Sequence, residues 1–421
     1  MLKIMRYELK KMLTRRVAVV VNAGVLAMLV AIMALNVVQA RFALSDGSFV
    51  GGPAAIEAAR AERDARAGEV SVERVLSDVR GYRALVLSEL DASELLEMSD
   101  AAAYSAAVRS FTDEQFDELC DPYWSWLMSP FRRSGEEPYQ TVVRVSDEEF
   151  AGYYAAVAQL TQDALDDGQG GSWEYAASER AYWTDMEASV PEPVSYGWAG
   201  AWDNVISCAA FLAFAMLAVC VTVTPTFSGE YQQGTDAVLL ATRNGRSGLV
   251  AAKVAASLLY ATAYFALAAA IICGVSVFFY GTGGFDLPLQ ALGLSTPYPI
   301  TCGQAALLTV GLMYACTLGV TGISLALSSR TRSQVAVIVA GVAVVFLTGM
   351  VPSGGSGILE HLLRLFPMGF SNFSTLFLTL TSYPLGPAVL DLAGAVLATW
   401  LCLTAATLPV AVVSWRRHQV S

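Results

Sequence analysis

The sequence predicts an all-α membrane protein with six transmembrane helices and a large, mainly helical extracytoplasmic domain between the first and second of them. Two observations predict this class. The chain is 55% hydrophobic and 15% charged, whereas soluble domains carry roughly 25% charged residues. The charge is also unevenly distributed. Residues 41–203 hold 12 arginines, no lysine and 31 acids, a formal charge of −19, while the rest of the chain carries +8.

Six apolar segments are long enough to cross a bilayer, which takes about 20 residues of α-helix. None of them contains a charged residue beyond its first two positions. The predicted transmembrane helices are residues 17–38, 204–224, 254–280, 304–327, 334–351 and 390–414.

Basic residues flank these spans mainly on one side. They precede the first span, follow the sixth and occupy the gaps after the second and fourth, and all four lysines lie on this side. Because Lys and Arg accumulate at the cytoplasmic ends of spans, we expect both termini in the cytoplasm. The acidic domain, residues 39–203, is then extracytoplasmic, and the expected location is the plasma membrane of a bacterial cell.

The N-terminal segment, residues 1–16, has the pattern of a short amphipathic helix. Its apolar residues, which include Leu2, Leu9 and Met12, recur at helical spacing opposite a basic face. Such a helix is suited to the cytoplasmic membrane interface. The alternative is that these residues are only a basic flank that orients the first span, and the pattern alone favours neither.

The acidic domain is predicted to be mainly helical around one core. Ser146 and Glu149 have the spacing of a capping box that opens a helix, and residues 168–171 contain glycines that end it. The aromatic residues at 123–131 are expected inside the core rather than against the outer leaflet. The acidic surface makes nucleic acid a poor partner, because nucleic-acid affinity depends on basic residues that neutralise phosphates.

Nothing in the sequence predicts a catalytic, cofactor or metal site. No Gly-x-x-x-x-Gly-Lys-Ser/Thr phosphate loop occurs, so ATP hydrolysis by this chain is not expected. The two histidines, His361 and His418, fall near opposite membrane faces on the predicted topology and cannot act together. The span interiors carry no carboxylate of the kind that marks proton relays. Either the energy source for transport lies in another protein, or the protein transports nothing.

Two connecting segments are predicted to be structured. Residues 225–253, PTFSGEYQQGTDAVLLATRNGRSGLVAAK, are longer than the usual 2–8 residues of a helix connection and contain turn signals between short helical patterns. They predict two short interfacial helices on the cytoplasmic side. Residues 352–389 predict re-entrant or interfacial helices on the outer side, with Glu360 and Arg364 paired at i,i+4.

With these features the chain resembles the permease subunits of ABC-2 type transporters. The basic amphipathic N-terminus is similar to that family's elbow helix. Glu230, followed by Gly234-Thr235, a Leu/small-residue stretch, arginines and a lysine, resembles its pattern after the second span. The six-span plan with re-entrant pieces before the last span also matches. The likeness covers the whole membrane portion, whereas the large domain after the first span departs from the compact members.

The resemblance implies that residues 225–253 form a coupling segment that contacts a separate ATPase subunit. It also implies a second permease copy or a paralogue and transport across the lipid bilayer, and the uncharged span interiors suggest export of a hydrophobic or amphiphilic substrate. The alternative is a non-transporting receptor or force transmitter whose acidic domain binds a ligand or partner. The basic residues of the segment have a second interpretation as topology charges. The coupling candidates are Glu230, Gly234, Thr235, Arg243, Arg246 and Lys253.

Overall fold

The computed structural model describes residues 2–43, 48–242, 245, 247–350, 357–386 and 388–417, without the side chain of Met350. Within them the protein is mainly helical, and the chain divides into two compact units. The spanning unit comprises residues 1–34, 204–275 and 306–421. The inserted domain comprises residues 35–203 and 276–305. The predicted fold class is therefore confirmed as mainly helical.

The chain begins with two nearly continuous helices, α1 (Leu2–Thr14) and α2 (Arg16–Gln39). α1 covers most of the segment predicted as an N-terminal amphipathic helix, and the side that packs against the protein includes Glu8 as well as Met12 of the predicted apolar face. Glu8 and Met12 are buried, whereas Leu2 is 77% exposed. A carboxylate thus lies on the side of α1 that packs against the rest of the spanning unit.

In its described residues the inserted domain consists of short helices and two small antiparallel strand pairs, the hairpin of β1 and β2 and the long-range pair of β3 and β4. Its elements in chain order are β1 (Arg41–Ala43), β2 (Phe49–Gly51), α3 (Pro53–Ala65), β3 (Gly68–Glu69), α4 (Val72–Glu89), α5 (Ala92–Glu97), α6 (Asp100–Ser110), α7 (Asp113–Leu119), α8 (Pro122–Met128), α9 (Pro138–Arg144), α10 (Asp147–Ala151), α11 (Tyr153–Gly171), α12 (Ala177–Glu187) and β4 (Ser195–Tyr196).

The core of the inserted domain is aromatic, as predicted. Tyr82 and Trp124 stack with ring centroids 4.1 Å apart, and both are almost completely buried. The loop after residue 280 also packs into this core, although the sequence analysis did not assign it to the domain. Trp126 Nε1 donates to the carbonyl of Gln290 at 2.8 Å, and Leu294 is part of the core cluster. This loop therefore completes the inserted domain.

Capping and glycine signals located the helices near residue 146 well. Ser146 and Glu149 form the predicted capping box at the start of α10. The predicted single helix is interrupted at Gly152, after which α11 begins, so the structure has two helices where one was expected. At Gly168 the backbone φ is 58°, and the predicted glycine break is confirmed.

The remaining elements alternate long apolar helices with short ones. They are α13 (Gly200–Cys208), a 3₁₀ turn (Ala209–Phe211), α14 (Leu212–Val223), α15 (Pro225–Gln233), α16 (Asp236–Ala241), α17 (Gly248–Tyr280), a 3₁₀ turn (Leu289–Ala291), α18 (Cys302–Ser328), α19 (Gln334–Met350), α20 (Gly357–Arg364), α21 (Pro367–Phe370), a π-helical turn (Ser374–Leu378), β5 (Ser382–Leu385), β6 (Ala388–Asp391) and α22 (Leu392–Arg417).

Five helical stretches in the described part of the chain are long and apolar enough to cross a membrane. Each coincides with a predicted span. The predicted span at 334–351 forms α19, which has 17 residues and is shorter than the others. The five are Arg16–Gln39, Gly200–Gln233 (α13 to α15), Gly248–Tyr280, Cys302–Ser328 and Leu392–Arg417.

Small residues allow α18 and α22 to approach closely, as is common between membrane helices. A Cβ placed on Gly319 would lie 2.3 Å from the Trp400 ring, and one on Gly322 would lie 2.3 Å from Thr407 Oγ1. Neither position has room for a side chain.

The segment before α22 contains the predicted short helices, α20 and α21, and one feature that was not predicted. The Glu360–Arg364 ion pair is present, with 2.5 Å between Arg364 Nη2 and Glu360 Oε1. After the π-helical turn the chain forms an antiparallel hairpin of β5 and β6, with Ser382 opposite Asp391. The prolines of this stretch masked the strand pattern in the sequence.

Candidate functional site

The segment that follows α14 begins at a break in the helix. Pro225 has no backbone N–H and so interrupts the hydrogen-bond ladder. The hydroxyl of Ser328 in α18 replaces the lost bonds, since it accepts from the N–H groups of Phe227 and Ser228 at 3.2 and 3.0 Å. It also donates to the carbonyl of Thr224 at 2.5 Å. One side chain thus fixes the direction in which α15 leaves the end of α14.

A buried ion cluster holds α15 against the two helices beside it. Glu230 Oε1 accepts from Lys11 Nζ of α1 at 2.5 Å and from Lys253 Nζ of α17 at 2.9 Å. Lys253 Nζ also donates to Glu8 Oε2 of α1 at 3.0 Å. Glu230 Oε2 accepts from the hydroxyl of Thr235 at 2.5 Å. We refer to Glu8, Lys11, Glu230 and Lys253 as the ion cluster.

The ion cluster contains two acids and two lysines, and all of them are buried except Lys11, whose side chain is 27% exposed. The relative exposure is 0% for Lys253, 3% for Glu230 and 5% for Glu8. A charge buried in this way is strongly destabilising unless its partners remain in place. The positions of α1, α15 and α17 therefore depend on one another.

The turn between α15 and α16 is built by the predicted Gly-Thr pair. Gly234 ends α15 in the left-handed conformation, with φ of 65°, which glycine adopts without a steric cost. Thr235 precedes α16, but its hydroxyl bonds to Glu230 rather than capping the helix. α16 buries Asp236 and Leu240 and leaves Val238 70% exposed. An apolar side chain therefore projects from a short helix whose base is fixed by the ion cluster.

The end of α22 supports the same segment from another side. Trp415 is completely buried, and its Nε1 donates to the carbonyl of Gly245 at 3.1 Å. Its ring lies 5.2 Å from Phe227 and 5.5 Å from Tyr231, centroid to centroid. Tyr231 in turn donates from its hydroxyl to the carbonyl of Ser329 at 3.0 Å. The segment is thus held to α18 and α22 as well as to α1 and α17.

Three of the six predicted coupling residues come together in the structure. Glu230 accepts hydrogen bonds from both Thr235 and Lys253, and Gly234 forms the adjoining turn. Arg243 and Arg246 lie outside the described residues. In the part of the chain that is described, no group of three His, Cys, Asp or Glu side chains could hold a metal ion.

The sequence interpretation missed Glu8 and Lys11. Glu8 is the only acid in the first 40 residues. An isolated carboxylate in a basic, apolar stretch is a signal for a buried ion pair, because buried charges need a partner. That signal could have identified Glu8 but not its partner, which is 245 residues further along the chain.

Comparison with known proteins gives a clear family assignment. The chain matches the family model described as ABC-2 family transporter protein over residues 2–414. The chain belongs to this family. No curated protein and no solved structure matches it. The match, together with the apolar helices, makes the chain a multi-pass membrane protein of the ABC-2 transporter family, whose members are components of membrane transport and are not themselves catalytic.

Proposed function

We propose that this ABC-2 family protein is the permease subunit of an exporter driven by a separate ATPase subunit. The observation that carries the proposal is the ion cluster, which joins the segment after α14 to α1 and α17. A functional transporter then requires a second permease copy or a paralogue to line the path, and two ATPase subunits. The proposed location is the bacterial plasma membrane, with both termini in the cytoplasm.

Connectivity supports the proposed sidedness. The chain passes from α2 into the inserted domain, returns through α13, and visits it again between α17 and α18. Four chain connections join the spanning unit to the inserted domain, and we propose that the inserted domain lies wholly on one side of the membrane. The basic residues lie at the opposite helix ends, and the positive-inside rule assigns those ends to the cytoplasm. The inserted domain is then extracytoplasmic.

α19 is proposed as the sixth span. Its 17 residues cover about 26 Å at 1.5 Å per residue, and a bilayer core of about 30 Å can thin locally around a short helix. With α19 included, both termini fall on the same side.

Within the coupling segment we assign two different roles. Val238 is exposed, so α16 supplies the surface that the ATPase contacts, and Arg243 and Arg246 remain candidates for that contact. Glu230 and Lys253 are buried, so their role is to position α16 rather than to touch the partner. Two ATPase arrangements that bind α16 differently would then favour two different packings of the spans.

The interiors of the spans favour a hydrophobic or amphiphilic substrate. The predicted spans contain no charged residue beyond their first two positions, so a strongly charged molecule would lack partners between the helices. This property is the basis for proposing export of a peptide, drug or lipid rather than an ion.

Copurification with the ATPase subunit tests the proposal. Val238→Asp places a charge on the exposed face of α16, and we expect it to remove ATPase association while the chain remains folded. Val108→Asp is the matched control, because Val108 is 51% exposed in the inserted domain. Equal ATPase association in both variants would contradict the assignment of α16. If the associated complex moves no substrate across vesicles, the non-transporting alternative replaces export.

A further inference from the structure

We propose that a phospholipid with an anionic headgroup binds in a cavity at the basic end of the spanning unit, between α2, α14, α15 and α19. The cavity has a volume of about 360 Å³, which is large enough for a phosphate-containing headgroup. One wall is polar and the other is apolar. The polar wall includes Arg15, Arg16 and Gln334, and the apolar wall includes Val17, Val221 and Ile338.

The cavity is lined by Arg15 and Arg16, and the carboxylates of Glu230 and Glu8 attract Arg15 without forming an ion pair with it. Among the residues that the structure describes, no carboxylate forms an ion pair with Arg15 or Arg16. The nearby acids of the ion cluster, Glu8 and Glu230, are already paired with two lysines. Arg15 Nη2 makes only a long bond, 3.4 Å, to the carbonyl of Pro225. Two guanidinium groups are therefore available to an anion.

A glycine makes room where the donors converge. A Cβ on Gly229 would lie 3.4 Å from Arg15 Nη2 and 3.7 Å from Gln334 Nε2. Pro225 Cβ lies 3.3 Å from the same position, and Gln334 Nε2 also donates to Gln232 Oε1 at 2.7 Å. A guanidinium and a carboxamide therefore converge beside a glycine. Arginine presents its N–H groups in a fork that fits phosphate oxygens. The arrangement therefore suits a phosphate better than an uncharged, apolar ligand.

Exposed valines next to the cavity favour a lipid over free phosphate. Val17 and Val20 of α2 are 67% and 71% exposed, and Val335 and Val339 of α19 are 70% and 60% exposed. The residues of each pair are three or four positions apart and so share a helix face. Val17 lines the cavity, and Val335 and Val339 directly follow the cavity residues Gln334 and Ile338 in the sequence, so acyl chains can lie on apolar helix surface beside it. Basic pockets between transmembrane helices are known to hold anionic headgroups.

Native mass spectrometry of the full chain in detergent tests the proposal. Phosphatidylglycerol, phosphatidylcholine with the same acyl chains, and inorganic phosphate are titrated separately. We expect one phosphatidylglycerol per chain, bound on the order of ten-fold more tightly than phosphatidylcholine because two guanidinium groups contribute. Arg15→Gln/Arg16→Gln should remove this preference. Gly229→Leu, which fills the cavity without changing the charge, should weaken phosphatidylglycerol binding to a similar extent.

Arg6→Gln/Lys10→Gln is the matched control, since it removes two exposed charges of α1 outside the cavity. Retained lipid preference in this control supports the site, and an equal loss would show diffuse attraction to basic residues and overturn it. Inorganic phosphate that competes at the same concentration as the lipid would also overturn it. None of these measurements involves the ATPase subunit, so their outcome is independent of the proposed export function.

Discussion

The ion cluster and the ion pairs of the inserted domain use the same chemistry in opposite environments. Lys253 has no exposed side-chain surface, and its carboxylate partners are 4% and 7% exposed. Arg180 and Asp166 in the inserted domain form an equally short pair, 2.7 Å, with 41% and 70% of their side chains exposed. Distance alone does not distinguish the two regions, but burial does.

Burial determines what each pair contributes. An exposed pair is weakened by water and salt and contributes about 0–1 kcal/mol. A buried pair need not stabilise the fold relative to apolar residues, yet removing one partner costs about 3–5 kcal/mol because a charge is left without compensation. The inserted domain can therefore lose surface pairs freely, whereas the spanning unit cannot lose one member of the ion cluster.

The largest expected effect is that of Lys253→Met. It leaves Glu8 and Glu230 buried without their shared partner, with Lys11 and Arg15 as the remaining nearby cations, and we expect the free energy of unfolding to fall by about 3–5 kcal/mol. Equilibrium unfolding of the detergent-solubilised chain measures it. Lys10→Met, at an exposed position of the same helix as Lys11, serves as the control. A loss no greater than that of the control would contradict the burial argument.

Trp124→Ala tests whether the inserted domain depends on its aromatic core instead of its ion pairs. Trp124 is 3% exposed and stacks on Tyr82, so the cavity left by truncation should cost about 3–5 kcal/mol. Increased hydrogen exchange in α4 and α8 would report it. Unchanged exchange in both helices would mean that the core is held by other contacts.

An intermediate effect is expected for Lys11→Met. The side chain of Lys11 is 27% exposed, and Lys253 still neutralises part of the charge of Glu230. We expect a loss of about 1–2 kcal/mol in the free energy of unfolding. A loss as large as that of Lys253→Met would show that the contribution of a lysine to the free energy of unfolding does not depend on its exposure.

Glu62→Gln should change how stability depends on pH. Burial, followed by the charge of Asp121, raises the pKa of Glu62 from 4.5 to about 7. The folded state therefore holds a proton that the unfolded state releases, and stability falls as pH rises from 4.5 to 7. Glu62→Gln should reduce this fall. Unfolding midpoints at pH 5 and 7 measure it, and an unchanged difference between them would contradict the assignment.

The smallest effect is expected for Arg180→Ala in the inserted domain. Its partner, Asp166, is well exposed, so the change in unfolding free energy should stay below about 1 kcal/mol. The same unfolding experiment detects it. A loss of several kcal/mol would remove the contrast between the two regions.

Local signals in the sequence predicted most elements but not the contacts between distant ones. Apolar runs located the long helices to within a few residues, except that α17 begins at Gly248 and includes Lys253. The capping box at Ser146 and the Glu360–Arg364 pair were also predicted, because both involve residues three or four positions apart. By contrast, Glu8 meets Lys253 across 245 residues, and no periodic pattern encodes that distance.

The same limit explains the other differences. The loop containing Gln290 joins the inserted domain through Trp126, 164 residues earlier. Its composition alone gave no reason to assign it there. The hairpin of β5 and β6 contains Pro384, and proline is normally evidence against a strand. The candidate site was located by Glu230, Thr235 and Lys253, while its partners from α1 required the three-dimensional structure.

The most direct test is the stability of the combined variant Glu8→Leu/Glu230→Leu/Lys253→Met compared with Lys253→Met alone. If the ion cluster is one interdependent unit, apolar replacement of all three buried members should restore most of the lost unfolding free energy. If these residues act independently, the combined variant should instead be less stable than Lys253→Met by the sum of the losses measured for Glu8→Leu and Glu230→Leu alone. That result would contradict the account.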